Sequence, residues 1–284
     1  GVMQVAYPRF EGIEVDPGND TDRREEFSKL LTRSIDGQAP HIAQAMVNRM
    51  WSHFFGYGFT RPVDDMGPHN PASHPELLDR ISHEFADSGY DLKQLIRTIC
   101  ATEAYSLGSQ FNDKNKSDDP AAGEMPLFSH MYLKSMQAEQ LYDSLIVASN
   151  AHQSGRGGWS AQEEQRQKWM QQFIVAYEND ENDESTTFNG TIPQALMMMN
   201  SELIEKACSI ERGSFLFESM SKPGTEPQKI QELYLAALSR HPTRSELSKV
   251  SKLLSDNKYR GQPLNAYQDL FWALLNSNEF VFIH

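Results

Sequence analysis

The chain has 284 residues, which is enough for one large domain or two modest ones with a sizeable core. Its formal net charge of −13 and its lack of a basic tract argue against binding to nucleic acid or to anionic membranes. No apolar run approaches the roughly 20 residues that span a bilayer, so no membrane insertion is expected. The two cysteines cannot build a disulfide framework, and the sequence leaves open whether Cys100 and Cys208 pair.

Helix signals begin near residue 22 and dominate the first part of the chain. Asp22-Arg-Arg-Glu25 has the spacing of a capping box, which predicts a first helix. A second helix is predicted from Pro40, which suits a first turn, to Gly56, which is typical of a helix end. Ser73-His-Pro-Glu76 predicts a capping box for a third helix, and Asp91 predicts the N-cap of a fourth.

The same signals continue in the second part of the chain. Further helix starts are predicted at Ser135, Ser160, Thr191, Thr225 and Thr243, and a last apolar-periodic stretch runs over 264–276. These signals amount to roughly ten helices. The alternation of apolar and polar residues that is typical of strands is confined to the first fifteen residues and to 280–283. The predicted fold class is therefore all-α, a helical bundle-like domain with little or no strand.

The domain organisation is predicted from the breaks in this pattern. Three segments rich in glycine, proline or polar residues are predicted as loops: 57–72, 109–126 and 178–190. The acidic character of the third favours a solvated surface loop. We predict a single all-α domain over 1–284, with residues 1–20 extended. The polar segment 109–126 is the best boundary if the domain consists of two packed halves, 1–115 and 125–284.

The predicted second helix carries polar side chains on a largely apolar surface. Arg49 and His53 form an i, i+4 pair on one face. A buried guanidinium needs a partner, because an unpaired buried charge costs several kcal/mol. We therefore predict that Arg49 is buried and bound to Asp64 or Asp65, the nearest carboxylates in the sequence. Two interpretations stay open: the pair pins the loop 57–72 to the core, or the loop and helix form a pocket for acid–base chemistry.

Two stretches of the sequence partly match metal-binding patterns. Asp79 and His83 share a helix face, with His69 and His74 nearby, but the spacing fits neither HExxH nor a standard zinc motif. Residues 113–124 partly match the ligand spacing of an EF-hand loop but lack the glycine at its sixth position. Calcium-dependent adhesion is therefore a hypothesis that ranks below the two given at the end of this section. No metal is predicted. No cofactor is predicted either, because the chain lacks CxxCH, GxGxxG and GxxxxGK[ST].

An ordered series of motifs runs along the chain. Its members are NRMWSHFFGYG at 48–58, DDMG at 64–67, SHPELLD at 73–79, GYDLK at 89–93, LIR at 95–97, AEQL at 138–141, PQAL at 193–196, LSR at 238–240 and WALLNS at 272–277. The series resembles the C-terminal domain of unknown function in large planctomycete surface proteins, which often carry a planctomycete-type cytochrome c domain upstream.

This resemblance implies that the chain is part of an exported multidomain protein, located in the periplasm or at the cell surface. It implies no reaction. The predicted ligand-binding or structural-pocket residues are Asn48, Arg49, Trp51 and Arg97. No catalytic residue is assigned, and the candidates for that role are His53, Asp64, Asp65 and Asp79.

Two hypotheses of function follow, and whether the chain is an enzyme stays open. The first is a non-catalytic helical module that binds a ligand or the upstream domains of the same polypeptide, because no catalytic signature is present. The second is a hydrolase acting on polysaccharide, with two of Asp64, Asp65 and Asp79 as acid and base. The second requires that two carboxyl groups face an open cleft and that one has a raised pKa.

Overall fold

A computed structural model describes residues 9–10, 12–14, 22–155, 157–177 and 192–283. The chain divides into two compact units, Gly1–Tyr132 (unit 1) and Leu133–His284 (unit 2). The predicted boundary segment 109–126 lies inside unit 1. The predicted acidic loop 178–190 lies outside the described residues.

Over its described residues, unit 1 has a two-residue antiparallel hairpin and four α-helices. These are β1 (Arg9–Phe10), β2 (Ile13–Glu14), α1 (Arg23–Thr32), α2 (His41–Phe55), α3 (Pro75–Asp87) and α4 (Leu92–Cys100). Two long segments of unit 1 contain no α-helix. They are residues 56–74 between α2 and α3, called the α2–α3 loop below, and residues 101–132 after α4.

Local capping explains three of the eight helix ends in the described part of unit 1. The side chains of Asp22 and Asp91 each accept two backbone N–H groups in the first turn of α1 and α4. This confirms the N-cap predicted at Asp91 and the N-cap half of the capping box predicted at 22–25. Gly56 ends α2 with a φ of +89°, a conformation that favours glycine. The capping box predicted at 73–76 is wrong: α3 begins at Pro75 with no side-chain cap.

The core of unit 1 is formed by the apolar faces of α2, α3 and α4 together with aromatic residues from its loops. Its large members include Trp51, Phe55, Phe59, Ile81, Phe85, Ile99 and Phe128. The Trp51 ring stacks on Phe55 with a centroid distance of 4.4 Å and lies 4.6 Å from Phe59. Because Phe59 belongs to the α2–α3 loop, these aromatic contacts anchor the start of that loop to α2.

Over its described residues, unit 2 has nine α-helices and one two-stranded antiparallel sheet. These are β3 (Lys134–Ser135), α5 (Ala138–Ser149), α6 (Trp159–Tyr177), α7 (Ile192–Asn200), α8 (Glu202–Ala207), α9 (Phe215–Ser221), α10 (Glu226–Leu238), α11 (Arg244–Leu254), α12 (Pro263–Leu275), α13 (Asn278–Val281) and β4 (Phe282–Ile283). In the sheet, Ser135 lies opposite Phe282. The helix start predicted at Ser135 is therefore wrong, and α5 begins three residues later.

Unit 2 has its own core, built from nearly all of its helices. Its large members include Leu141, Tyr142, Trp169, Phe173, Leu203, Leu233, Leu270 and Phe271. Thr225 and Thr243 form the predicted capping boxes at the starts of α10 and α11. The predicted all-α, bundle-like fold class is confirmed for the described part of the chain. None of its helices has the length and apolar character needed to cross a bilayer.

Candidate functional site

A groove of about 1150 Å³ lies in unit 1, between α2, the start of α3 and the α2–α3 loop. Its walls are mostly apolar, and its charged lining residues are Arg49, Asp64, Glu76 and Asp79. Three of the residues singled out from the sequence therefore meet here: Arg49, Asp64 and Asp79. Ligand sites are typically concave, largely apolar and furnished with a few polar groups, as this groove is.

Arg49 and Asp64 form a bidentate ion pair at the groove. The guanidinium donates from Nε to Oδ1 at 2.7 Å and from Nη2 to Oδ2 at 2.9 Å. The predicted pairing is confirmed, with Asp64 as the partner. The predicted burial is wrong: the Arg49 and Asp64 side chains are 64% and 68% exposed, because α2 turns its other face to the core. The hydrogen bonds from Arg49 lower the pKa of Asp64 despite a small opposing effect of burial.

Asn48 lies beneath the α2–α3 loop and is fully buried. Its Nδ2 donates to Thr60 Oγ1 and to the Val63 carbonyl, both at 2.8 Å, and its Oδ1 accepts the Phe59 N–H at 2.6 Å. A Cβ atom at Gly58 would lie 2.8 Å from Asn48 Oδ1, so this close approach requires glycine. Asn48 thus shapes the loop that forms one wall of the groove, and its amide is already occupied.

The other two aspartates have different partners. Asp79 Oδ1 accepts the backbone N–H of Ala39 at 2.9 Å, and its Oδ2 lies 3.3 Å from His83 Nδ1. Asp79 therefore ties α3 to the residues that lead into α2 while it lines the groove. Asp65 bonds to His69 Nε2 at 2.9 Å and is not among the residues that line the groove.

The remaining predicted residues lie away from the groove. Trp51 is part of the core of unit 1, and its buried Nε1 has no hydrogen-bond partner among the described residues. His53 is exposed on α2 with its ring edge against Phe54, and Arg97 is exposed on α4. Of the predicted pocket residues, Arg49 alone is in the groove lining, and Asn48 holds the loop that forms one wall of the groove.

One buried carboxylate in unit 1 has no recognisable signal in the sequence. Asp118, inside the EF-hand-like stretch 113–124, is 1% exposed. It accepts hydrogen bonds from Leu127 N at 2.9 Å, Ser129 Oγ at 2.6 Å and Tyr132 Oη at 2.5 Å. Burial raises its pKa, but these hydrogen bonds outweigh burial and the pKa is lowered overall. Because its oxygens are taken by donors of the protein, Asp118 is not placed to act as a calcium ligand.

Glu76 belongs to the groove, although the sequence does not mark it as a site residue. It was assigned to a capping box, because its spacing from Ser73 fits that motif. In the structure it is exposed in the first turn of α3 and lines the groove. No local signal distinguishes these two roles, since an acidic residue in a first helical turn is favourable in either case.

No group of three or more histidine, cysteine, aspartate or glutamate side chains in the described residues is arranged to hold a metal ion. Both cysteines are free thiols, which answers the question that the sequence left open. Burial raises the pKa of Cys208 to about 12, so this thiol is unreactive near neutral pH.

The fold and the groove define an all-α protein of two helical units with a charged groove in the first. Residues 23–190 match the model of the PSD1 family, described as a protein of unknown function (DUF1553). The match covers more than half of the chain, so the chain belongs to this family. The matched segment includes the whole groove. No curated protein and no solved structure matches the chain.

Proposed function

We propose that this chain is a non-catalytic binding module and that the groove of unit 1 is its binding site. One observation carries the proposal: the groove is open and mostly apolar, while two of its carboxylates already serve the fold. Arg49 holds Asp64, and Asp79 holds the backbone of Ala39. Such a surface offers apolar contact area to a ligand, and Arg49 keeps Asp64 in its ionised form.

The occupant that we propose is an extended polypeptide segment from another domain of the same protein. The motif series implies an exported multidomain protein with upstream domains, and we extend that setting to this chain. Polysaccharide is the weaker choice. Sugar rings pack on aromatic side chains, and none of the described residues that line the groove is Trp, Tyr or Phe.

The hydrolase hypothesis keeps one supporting observation, because Asp64 and Asp79 line the same groove. A general acid needs a raised pKa to hold its proton near neutral pH. Arg49 acts in the opposite direction on Asp64 and stabilises its ionised form. Turnover of a polysaccharide that is lost in a folded Asp64→Asn variant would establish the hydrolase and overturn the binding module.

The proposal is tested by selecting peptides from a random twelve-residue phage library on the immobilised chain. Ala45 is exposed on α2 and lines the groove, so Ala45→Trp fills the groove without touching the core. Ala45→Ser is the matched control. Selected peptides should bind the wild type and Ala45→Ser equally and Ala45→Trp at least about tenfold more weakly, a loss of about 1.4 kcal/mol. If no selected peptide is weakened by Ala45→Trp, the groove is not the binding site.

A further inference from the structure

The charges of the groove point to the kind of segment that it binds, an inference that rests on the proposed function. Its charged residues are one arginine and three carboxylates. Arg49 is already bound through two hydrogen bonds to Asp64, which neutralises both. Glu76 and Asp79 then leave an excess of negative charge in the groove, and the Nε and Nη2 donors of Arg49 are already bound to Asp64.

The two remaining carboxylates belong to the same face of α3 and both line the groove. Glu76 and Asp79 are three residues apart on α3, a spacing that brings side chains to one face of a helix with Cβ atoms roughly 5–6 Å apart. The Ala39 N–H that Asp79 accepts is a neutral donor, and the His83 ring that lies 3.3 Å from Asp79 Oδ2 carries a charge only when it is protonated. Beside a neutral His83, Asp79 keeps its negative charge. One cationic group seated at this face of α3 contacts both carboxylates.

The walls of the groove suit the apolar stem of such a group. Met46, Pro71, Pro75 and Leu78 line it beside the two carboxylates. Lysine and arginine bury their methylene stems on apolar surface while the charged end reaches a polar partner. Methionine adapts its shape to the contact that it receives.

We propose that the groove binds an extended segment that presents a lysine or arginine side chain to Glu76 and Asp79, with apolar residues beside it. An acidic segment meets uncompensated carboxylates and is rejected. A segment without charge gains the apolar contacts alone and binds more weakly.

The peptides selected on the wild-type chain test this proposal by their composition and by a double-mutant cycle. We expect lysine or arginine to be enriched at one position of the peptides that Ala45→Trp weakens. The tightest such peptide is synthesised with its cationic residue intact and with glutamine in its place. Both are titrated calorimetrically into the wild type, Glu76→Gln and Glu84→Gln. Glu84 is an exposed carboxylate on the same helix that does not line the groove, so it is the matched charge control.

The cationic peptide should bind Glu76→Gln about fivefold more weakly than it binds the wild type, as for a partly exposed ion pair. The glutamine peptide should not distinguish the two proteins, and Glu84→Gln should behave as the wild type with both. The proposed cationic segment would be overturned if the groove-binding peptides show no preference for lysine or arginine. It would also be overturned if Glu76→Gln weakens binding of the cationic peptide less than about twofold. Either result would leave the groove as a binding site. Selection of no peptide that Ala45→Trp weakens would overturn the proposed function itself.

Discussion

The two units use polar side chains in different ways. In unit 1, Asn48 and Asp118 are buried, and each binds several groups of a long segment that has no regular backbone ladder. In unit 2, Arg240 binds Glu246 and Glu279 at the surface, beside helices that pack through their apolar faces. Backbone groups in loops need partners that helices supply internally. In unit 1 buried polar side chains supply these partners, and the loop that Asn48 holds is the one that forms a wall of the groove.

The largest effect is expected from removing Asn48. Asn48→Ala removes three hydrogen bonds and leaves the Phe59 N–H without its partner, which should destabilise unit 1 by about 3 kcal/mol. Urea unfolding measures this loss, and hydrogen exchange of residues 57–63 locates it. Gln44→Ala on the same helix, which loses one hydrogen bond to Ala39, should cost less than about 1 kcal/mol. Equal losses in the two variants would contradict the role given to Asn48.

The next effect is expected at Asp118. In Asp118→Asn, an amide with a single acceptor atom replaces the carboxylate that binds the N–H and O–H donors of 127–132. This change should lower the free energy of unfolding by about 2 kcal/mol at pH 7. Asp119→Asn, at the half-buried neighbour that caps a short turn, should cost less than about 1 kcal/mol. Thermal or urea unfolding at pH 7 compares the stability of the two variants. A larger loss of stability in Asp119→Asn than in Asp118→Asn would contradict the structural role given to Asp118.

The cost of Asp118→Asn should depend on pH. The pKa of Asp118 is lower in the folded than in the unfolded chain, so its ionised form contributes stability above the ordinary aspartate pKa of about 3.9. That contribution is lost as the pH falls through the lower folded pKa. The difference in unfolding free energy between the wild type and Asp118→Asn should therefore narrow below about pH 4. A difference that is constant from pH 7 to pH 3 would show that the carboxylate charge has no part in it.

A smaller effect is expected from the cluster in unit 2. Arg240→Gln should cost about 1–2 kcal/mol, because the three side chains are partly exposed and solvent weakens their attraction. Hydrogen bonds from Arg240 lower the pKa of Glu246 to about 2, and that pKa should rise in the variant. NMR titration of the glutamate carboxyl groups measures the rise. Arg244→Gln is the control: Arg244 is exposed in the first turn of α11, and its loss should leave the pKa of Glu246 low. A pKa of Glu246 that does not change in Arg240→Gln would contradict the role given to Arg240.

The smallest effect on stability is expected at the groove itself. Arg49 and Asp64 are exposed, so Arg49→Gln should change the free energy of unfolding by less than about 1 kcal/mol. Urea unfolding beside Asn48→Ala makes the comparison within one helical turn. A loss in Arg49→Gln that equals that of Asn48→Ala would mean that the exposed pair holds the loop as firmly as the buried amide.

Sequence analysis succeeded where the signal is local. The caps at Asp22, Asp91, Thr225 and Thr243 depend on residues within one turn, so the chain itself specifies them. The partnership of Arg49 with an aspartate of the following loop was also predictable, because the two lie only fifteen residues apart.

Sequence analysis failed where distant elements decide the environment. Arg49 is exposed because α3 and α4 cover the opposite face of α2, and no property of α2 alone specifies which face is covered. Asp118 is buried because residues 127–132 fold over it, and nothing distinguishes it from Asp119 in the sequence. Glu76 fits a helix start as well as a binding groove, so tertiary contacts had to separate the two roles.

The central claim is that the carboxylates of the groove serve the fold and binding rather than acid catalysis. NMR titration of the aspartate carboxyl carbons, in the wild type and in Arg49→Gln, tests it most directly. We expect Asp64 in the wild type to titrate below the ordinary aspartate pKa of about 3.9 and to move upward when Arg49 is removed. An Asp64 that titrates well above that value in the wild type, as the general acid of a hydrolase does, would contradict the account.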